Sequence, residues 1–336
     1  MNRKSSPQIL ITTSDYLPQL GGLTSYTLNI EAVLKSLQLN YDLFHWPNIK
    51  ALKQFTPSKK YDYIIHIHQL GSYYLQHLPA KHIGIYHGSE LFFTSANLLK
   101  KVIKKLLAPA MIHSLEQNYL NIFISTFTRE LAQSQGLKLN YARDIIFHNC
   151  IDIADATFYP YPIENKIKLC AIVRNTPHKN VAGCIELATH LQNISGLPVE
   201  LTLPFKYTQS TAIKLNAIEQ MSDKQREQVY QASHFNLLLS LDHSHRGFIE
   251  GFGLSCLEAG KYGTPSIVFN TGGLPDNIHP EINGFLISNT KVETITKLWQ
   301  QLQKFDYQQL RHNTFDHTTN SHGLDQYEKL FRQVLV

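Results

Sequence analysis

The stretch Arg246–Gly273, RGFIEGFGLSCLEAGKYGTPSIVFNTGG, brackets a glycine-rich turn with two acids, Glu250 and Glu258, eight residues apart. On one continuous helix, residues so spaced stand roughly 80° apart, on neighbouring faces. Gly251, Phe252 and Gly253 make poor helix interior, whereas Leu254 to Tyr262 reads as a helix that Gly263 and Pro265 then stop. Glu250 is therefore expected on a loop and Glu258 inside a helix. The β-branched run PSIVFN follows directly, so the local order is loop, helix, strand.

Outward from this stretch the same alternation fills the chain. Short apolar runs QILITT (8–13), YDYIIHIH (61–68), HIGIYHG (82–88), NIFISTF (121–127) and DIIFHN (144–149) are separated by helix-length segments. After the proline-containing FYPYPIENK (158–166) the pattern restarts with IKLCAIVR (167–174), VELTLPF (199–205), HFNLLLSL (234–241), PSIVFN (265–270) and GFLIS (284–288). Strands alternating with helices imply parallel sheets covered on both faces. The expected fold is thus α/β: two Rossmann-like domains facing across a cleft, joined near residues 155–165. The boundaries expected are 1–160 and 161–320, with an amphipathic helix of residues 321–336 crossing back to the first domain. A chain of 336 residues with 43% hydrophobic content can bury two such cores.

Composition narrows the partners. The net charge of +5, with 17 histidines besides, suits anionic company such as nucleotides, phosphates or lipid headgroups. No aromatic-interleaved basic stripe points to nucleic acid. The four cysteines, Cys150, Cys170, Cys184 and Cys256, show neither CxxC nor zinc spacing, which fits a reduced, cytoplasmic setting. The N-terminal apolar run is only five residues, short for a signal peptide, and no stretch has the roughly 20 apolar residues of a membrane span, so a soluble protein is expected.

Open parallel sheets bind ligands beyond the carboxyl ends of their strands, which singles out the residues found there. Gly21 and Gly22 precede a helix after the first strand, where paired glycines let an anion approach backbone amides. His87 ends the strand HIGIYHG, with Ser89 or Glu90 as possible partners. Arg174 and Lys179 stand five residues apart on the loop after IKLCAIVR and suit a diphosphate. A nicotinamide dehydrogenase would need G-x-G-x-x-G after the first strand, and GGLTSY does not supply it.

The stretch EGFGLSCLEAGKYGTPSIVFNTGGLPDNI (250–278) resembles the E-x7-E segment of GT-B glycosyltransferases of group 1 (family GT4), retaining enzymes that use nucleotide-sugar donors. GGLTSY, YHGSE, the Arg174 and Lys179 pair, and MSDKQREQVYQASHFNLLLS (221–240) fall in the family's order, so the resemblance covers nearly the whole chain. It implies that Glu250 holds donor-sugar hydroxyls and Glu258 the ribose. Arg174 and Lys179 would neutralise the diphosphate, with amides near Gly253 and Leu254 and with Gly21 and Gly22 assisting, and His87 would lie near the reacting carbon. It also implies a UDP- or GDP-linked sugar, a saccharide or lipid-linked acceptor, and no metal, in keeping with the absence of a DxD pair. Val173 stands where the family commonly has glycine, and Asp276 where glutamate is usual. Two other readings keep the same fold: a catalytically degenerate subunit, and an epimerase or phosphorylase.

Two further segments draw notice. NLLKKVIKKLLAPAMI (97–112) sets Leu98, Leu99, Val102, Ile103, Leu106 and Leu107 against Lys100, Lys101, Lys104 and Lys105. It reads equally as an interfacial membrane helix, contacting lipid through Leu98 and the lysines, or as a surface helix whose leucines pack on the sheet. His66 and His68 alternate on one strand; without a spaced third ligand they are expected to line the cleft at a strand end.

Overall fold

The computed structural model describes residues 6–18, 21–94 and 97–336. The chain separates into two compact units. The first contains β1 (Ile9–Thr13), α1 (Gly22–Ser36), β2 (Tyr41–His45), α2 (Ile49–Lys53), β3 (Tyr63–His66), α3 (Gln69–Leu75), β4 (Lys81–Tyr86), α4 (Leu98–Gln117), β5 (Leu120–Phe123), α5 (Thr126–Ser134) and β6 (Asp144–Ile146). The second contains β7 (Ile167–Cys170), α6 (Val181–Ser195), β8 (Val199–Leu203), β9 (Lys214–Ala217), α7 (Asp223–Gln231), β10 (Phe235–Leu238), α8 (Leu254–Gly260), β11 (Ser266–Phe269), α9 (Leu274–Asn277), β12 (Gly284–Ile287), α10 (Val292–Leu302) and α11 (Tyr307–Ser321). The final helix, α12 (Leu324–Leu335), belongs to the first unit.

Each unit is built on one six-stranded sheet, ordered β2-β1-β3-β4-β5-β6 in the first and β12-β11-β10-β7-β8-β9 in the second. Every pairing is parallel. The expected α/β fold is therefore present twice. Central strands such as β1, β5, β10 and β11 are buried along their whole length, as parallel strands covered on both faces must be. β2 and β9, absent from the sequence reading, are edge strands. Their residues YDLFH and KLNA are only partly buried, so they carry no apolar run to betray them.

The units divide at residues 152/153, 242/243, 252/253 and 323/324. The expected joint near 160 thus falls a few residues inside the second unit. Residues 243–252, far along the sequence, belong to the first. Within that unit Ile249 is buried in the core with Tyr86, Phe92 and Phe123, and the Phe252 ring lies 5.1 Å from that of His148. α12 lays Tyr327, Phe331 and Leu335, spaced four apart, into the same unit. The Tyr327 hydroxyl is hydrogen-bonded to that of Tyr26 on α1, and Tyr63 Oη donates to the Val334 carbonyl (3.0 Å).

In the second unit Ile167, Leu169, Leu201, Leu237 and Ile267 form the centre of the core. Arg311 on α11 is wholly buried. Its guanidinium donates to the carbonyls of Ser233 (2.9 Å), Tyr159 (3.1 Å) and Tyr262 (3.1 Å), tying together three separate segments.

Candidate functional site

In the second sheet β7, β8 and β9 run outward to one side, and the chain then returns to place β10 on the other side of β7. The order reverses between β7 and β10, and the carboxyl ends of two such strands diverge to leave a crevice. Both sequence motifs follow these strands: Arg174 and Lys179 come after β7, and GLSCLE after β10.

Arg174 is exposed; its carbonyl accepts from the Thr176 amide (2.8 Å), while its guanidinium makes no hydrogen bond or ion pair among the described residues. Lys179 closes a short 3₁₀ turn, Pro177–Lys179. Asn180 then takes a left-handed conformation (φ 51°) and its side chain caps α6 by accepting from the Gly183 amide (3.2 Å). The loop is thereby fixed, with Arg174 exposed and Lys179 half-buried.

α8 begins at Leu254, with Gly253 as its N-cap in a left-handed conformation (φ 89°) and no side chain satisfying its first amides. A Cβ on Gly253 would meet Leu274 Cδ2 at 2.7 Å and Leu238 Cδ2 at 2.9 Å, so glycine is required here by backbone and packing together. The helix ends at Gly260, two residues earlier than the sequence suggested, because Gly263 turns the chain at φ 76°. Glu258 is half-buried on α8, where its Oε2 accepts from Tyr230 Oη (3.2 Å). Arg226 on α7 feels the Glu258 charge, which helps raise its pKa against the opposing effect of burial.

The first unit gathers the remaining residues. Its sheet reverses order between β1 and β3. Gly21 and Gly22 follow β1 at the start of α1, and Gly21 is fully extended (φ −172°), a conformation open to any residue. A Cβ on either meets nothing within 4 Å among the described residues. Neither strain nor packing within the described chain therefore demands these glycines.

His87 directly follows β4 and packs edge-on against Tyr26, with ring centroids 4.5 Å apart. Burial, reinforced by nearby His68, pushes its pKa down to about 3, so the ring is neutral at physiological pH. Its Nε2 is enclosed and makes no hydrogen bond among the described residues. Glu90 accepts from the His87 amide, and burial raises its carboxyl pKa to about 7 despite the amides and Lys104 around it.

Glu250 is half-buried on the 243–252 loop, so the two acids of the opening stretch belong to different units. The next residue, Gly251, lies against His87. A Cβ there would sit 2.0 Å from the His87 carbonyl oxygen. Both glycines of the GFG turn are thus required by contacts of the chain with itself.

His66 is the last residue of β3, but its side chain is turned into the interior. It is fully buried in a relay in which Thr12 Oγ1 lies 2.9 Å from His66 Nδ1, His66 Nε2 lies 2.9 Å from His82 Nδ1, and His82 Nε2 lies 3.0 Å from the Leu78 carbonyl. His68 instead accepts from the Leu70 amide at the start of α3. Two residues beyond strand ends that the sequence reading did not single out carry unanswered polarity. Gln69, after β3, is wholly buried with neither amide atom hydrogen-bonded among the described residues. Trp46, after β2, has a buried Nε1 with no hydrogen-bond partner among the described residues. The strand-end rule that selected His87 would have found Gln69; Trp46 was hidden by the unrecognised edge strand.

Comparison with known proteins follows from this geometry. Residues 157–314 match the family model described as "Glycosyl transferases group 1". No curated protein sequence matches the chain. Among solved structures, HepE of Anabaena in complex with UDP superposes with a TM-score of 0.69 at 13% identity, over 98% of this chain and 99% of that one. Sucrose-phosphate synthase of Thermosynechococcus elongatus reaches a TM-score of 0.73 at 15% identity, again over 98% and 99%. A glycosyltransferase of Rickettsia africae gives 0.69 at 14% identity, over 99% and 98%. The chain thus has the GT-B fold along its length, and residues 157–314 are similar to the group 1 glycosyl transferases.

Proposed function

We propose that the protein is a retaining glycosyltransferase that moves a hexose or N-acetylhexosamine from a UDP- or GDP-linked donor to a saccharide or lipid-linked acceptor in cytoplasmic synthesis of a surface glycan. One observation carries the reading: an unpaired arginine, a fixed lysine and an uncapped helix start flank the β7/β10 reversal of a segment that matches group 1 glycosyl transferases. HepE, of the same fold, is known with UDP and with UDP-glucose, which makes UDP the first nucleotide to test.

The chemistry asks for such an arrangement. Breaking the bond between the anomeric carbon and the diphosphate builds negative charge on the leaving oxygens while the sugar becomes oxocarbenium-like. Fixed cations and amide dipoles stabilise that charge more in the transition state than in the ground state. Arg174 and Lys179 supply this charge, Glu258 accepts the ribose hydroxyls, and Glu250 orients the sugar. Neutral His87, with Nε2 free, offers a hydrogen bond to a sugar hydroxyl without repelling developing positive charge. Trp46 and Gln69 answer acceptor hydroxyls. In same-face transfer the leaving phosphate takes the acceptor's proton, so no separate base is required.

A thermal-shift series with UDP, GDP, ADP and CMP tests the donor assignment. A nucleotide at a hundred times its dissociation constant stabilises by about 2.7 kcal/mol. Glu258→Ala is expected to remove most of that shift, and Glu250→Ala to spare it while lowering turnover of the sugar donor. Equal loss of nucleotide affinity in both variants would contradict the division of roles. A shift with no nucleotide would favour the degenerate subunit.

A further inference from the structure

The apolar face of α4 points away from the protein. Leu98 is 76% exposed, Leu99 70%, Val102 48%, Ile103 46% and Leu106 75%. At roughly 100° per residue these five fall within an arc of about 140°. The usual arrangement puts such a stripe against the core. Here Met111, Ile112 and Leu115, near the other end of the helix, make the core contact instead. The alternative in which the leucines pack on the sheet is thus excluded for these five positions, Leu107 alone being packed against the core.

Lysines border the stripe. On the same helical wheel Lys105 lies about 20° outside the apolar arc and Lys101 about 60° outside it. Lys105 is exposed and Lys101 half-buried. Lys104 is turned inward, its Nζ donating to the Phe92 carbonyl (3.1 Å), and so drops out of the expected lipid contact. The side chain of Lys100 lies outside the described residues.

We propose that the first half of α4 is a docking surface for an anionic lipid bilayer, lying in the interface with its leucines in the acyl boundary and Lys101 and Lys105 against the headgroups. The charge pattern selects this occupant. Pairing the same face with a second copy of the chain would bring like-charged rims together, whereas an anionic leaflet complements them. No helix among the described residues is long and apolar enough to cross a membrane, in keeping with a helix that lies on one. The proposal rests on the exposure of α4 and is independent of the reaction assigned above.

Flotation of the full chain with vesicles of phosphatidylcholine, with and without phosphatidylglycerol, tests it. Binding is expected only where phosphatidylglycerol is present, and added salt should weaken it. Leu99→Asp with Leu106→Asp, and separately Lys101→Glu with Lys105→Glu, should each lower the partition coefficient at least about tenfold. The melting temperature and the nucleotide shift should stay unchanged, which separates lost docking from lost folding or lost donor binding. Failure of the wild-type chain to float, or flotation that survives the double leucine exchange, overturns the proposal. So does self-association in the absence of vesicles that the leucine exchange abolishes, since a second copy would then cover the face.

Discussion

The glycines of the candidate site fall into two kinds with opposite predicted behaviour. Gly251 and Gly253 are held by contacts of the chain with itself, the first against the His87 carbonyl and the second by its positive φ between two leucines. Gly251→Ala should cost roughly 3 kcal/mol, measured by chemical denaturation, since backbone must move to admit the methyl. Gly22→Ala should leave stability within about 0.5 kcal/mol and weaken nucleotide binding instead. A stability loss at Gly22 matching that at Gly251 would remove its assigned role. This distinction was not legible in the sequence, where all four glycines read alike, because the atoms that crowd Gly251 come from a strand over 160 residues earlier. Titration adds a second test. Glu90, raised to about 7, holds a proton in the folded state between its ordinary value of 4.5 and about 7 that the unfolded chain has released, so its contribution to stability falls as pH rises through that window. His68, lowered to about 4, and His87, lowered to about 3, act the other way: the unfolded chain binds their protons first, so their contribution is full above 6.5 and lost on acidification. His66 and His82, lowered by burial, share that sign. Glu90→Gln should therefore gain stability over wild type between pH 5 and pH 8, by about 2 kcal/mol given the residue's partial exposure. Melting curves at the two pH values measure it, and an unchanged difference would show that Glu90 titrates normally.

Elements were legible where burial forced a pattern. β1, β5, β10 and β11 announce themselves as unbroken apolar runs, and α12 through its four-residue spacing of Tyr327, Phe331 and Leu335. β2 and β9 lie at sheet edges, where half the strand faces solvent and no such run is needed. For α4 the pattern was visible and its direction was not: a stripe of leucines looks the same whether it faces a core or the outside. Arg311 escaped notice because its importance comes from three carbonyls far apart in sequence. Arg311→Met should destabilise the protein by about 3 kcal/mol, since the buried Ser233 and Tyr262 carbonyls and the part-buried Tyr159 carbonyl lose their donor. Arg311→Lys should recover only part of this, one ammonium being unable to span the same three acceptors. Full recovery in the lysine variant would show that charge, rather than the guanidinium fork, matters at this position.

At the scale of the whole molecule, the two repeats of strands were readable from periodicity, yet the division between units follows contacts that periodicity does not record. Residues 243–252 and α12 complete the first unit from the far end of the chain. A fragment of residues 1–152 should therefore lack cooperative thermal unfolding, having lost Ile249 from its core and the α12 cover over Tyr26 and Tyr63; a sharp transition in the fragment would contradict this. The same arrangement sets a schedule for the protein as it leaves the ribosome. The first unit starts to emerge before the second and is completed after it, because α12 is translated after the last segment of the second unit. Residues 153–323 take on the order of 10–30 s to synthesise, and through that interval the nascent first sheet waits with the apolar site for α12 open, an interval in which a chaperone has something to hold.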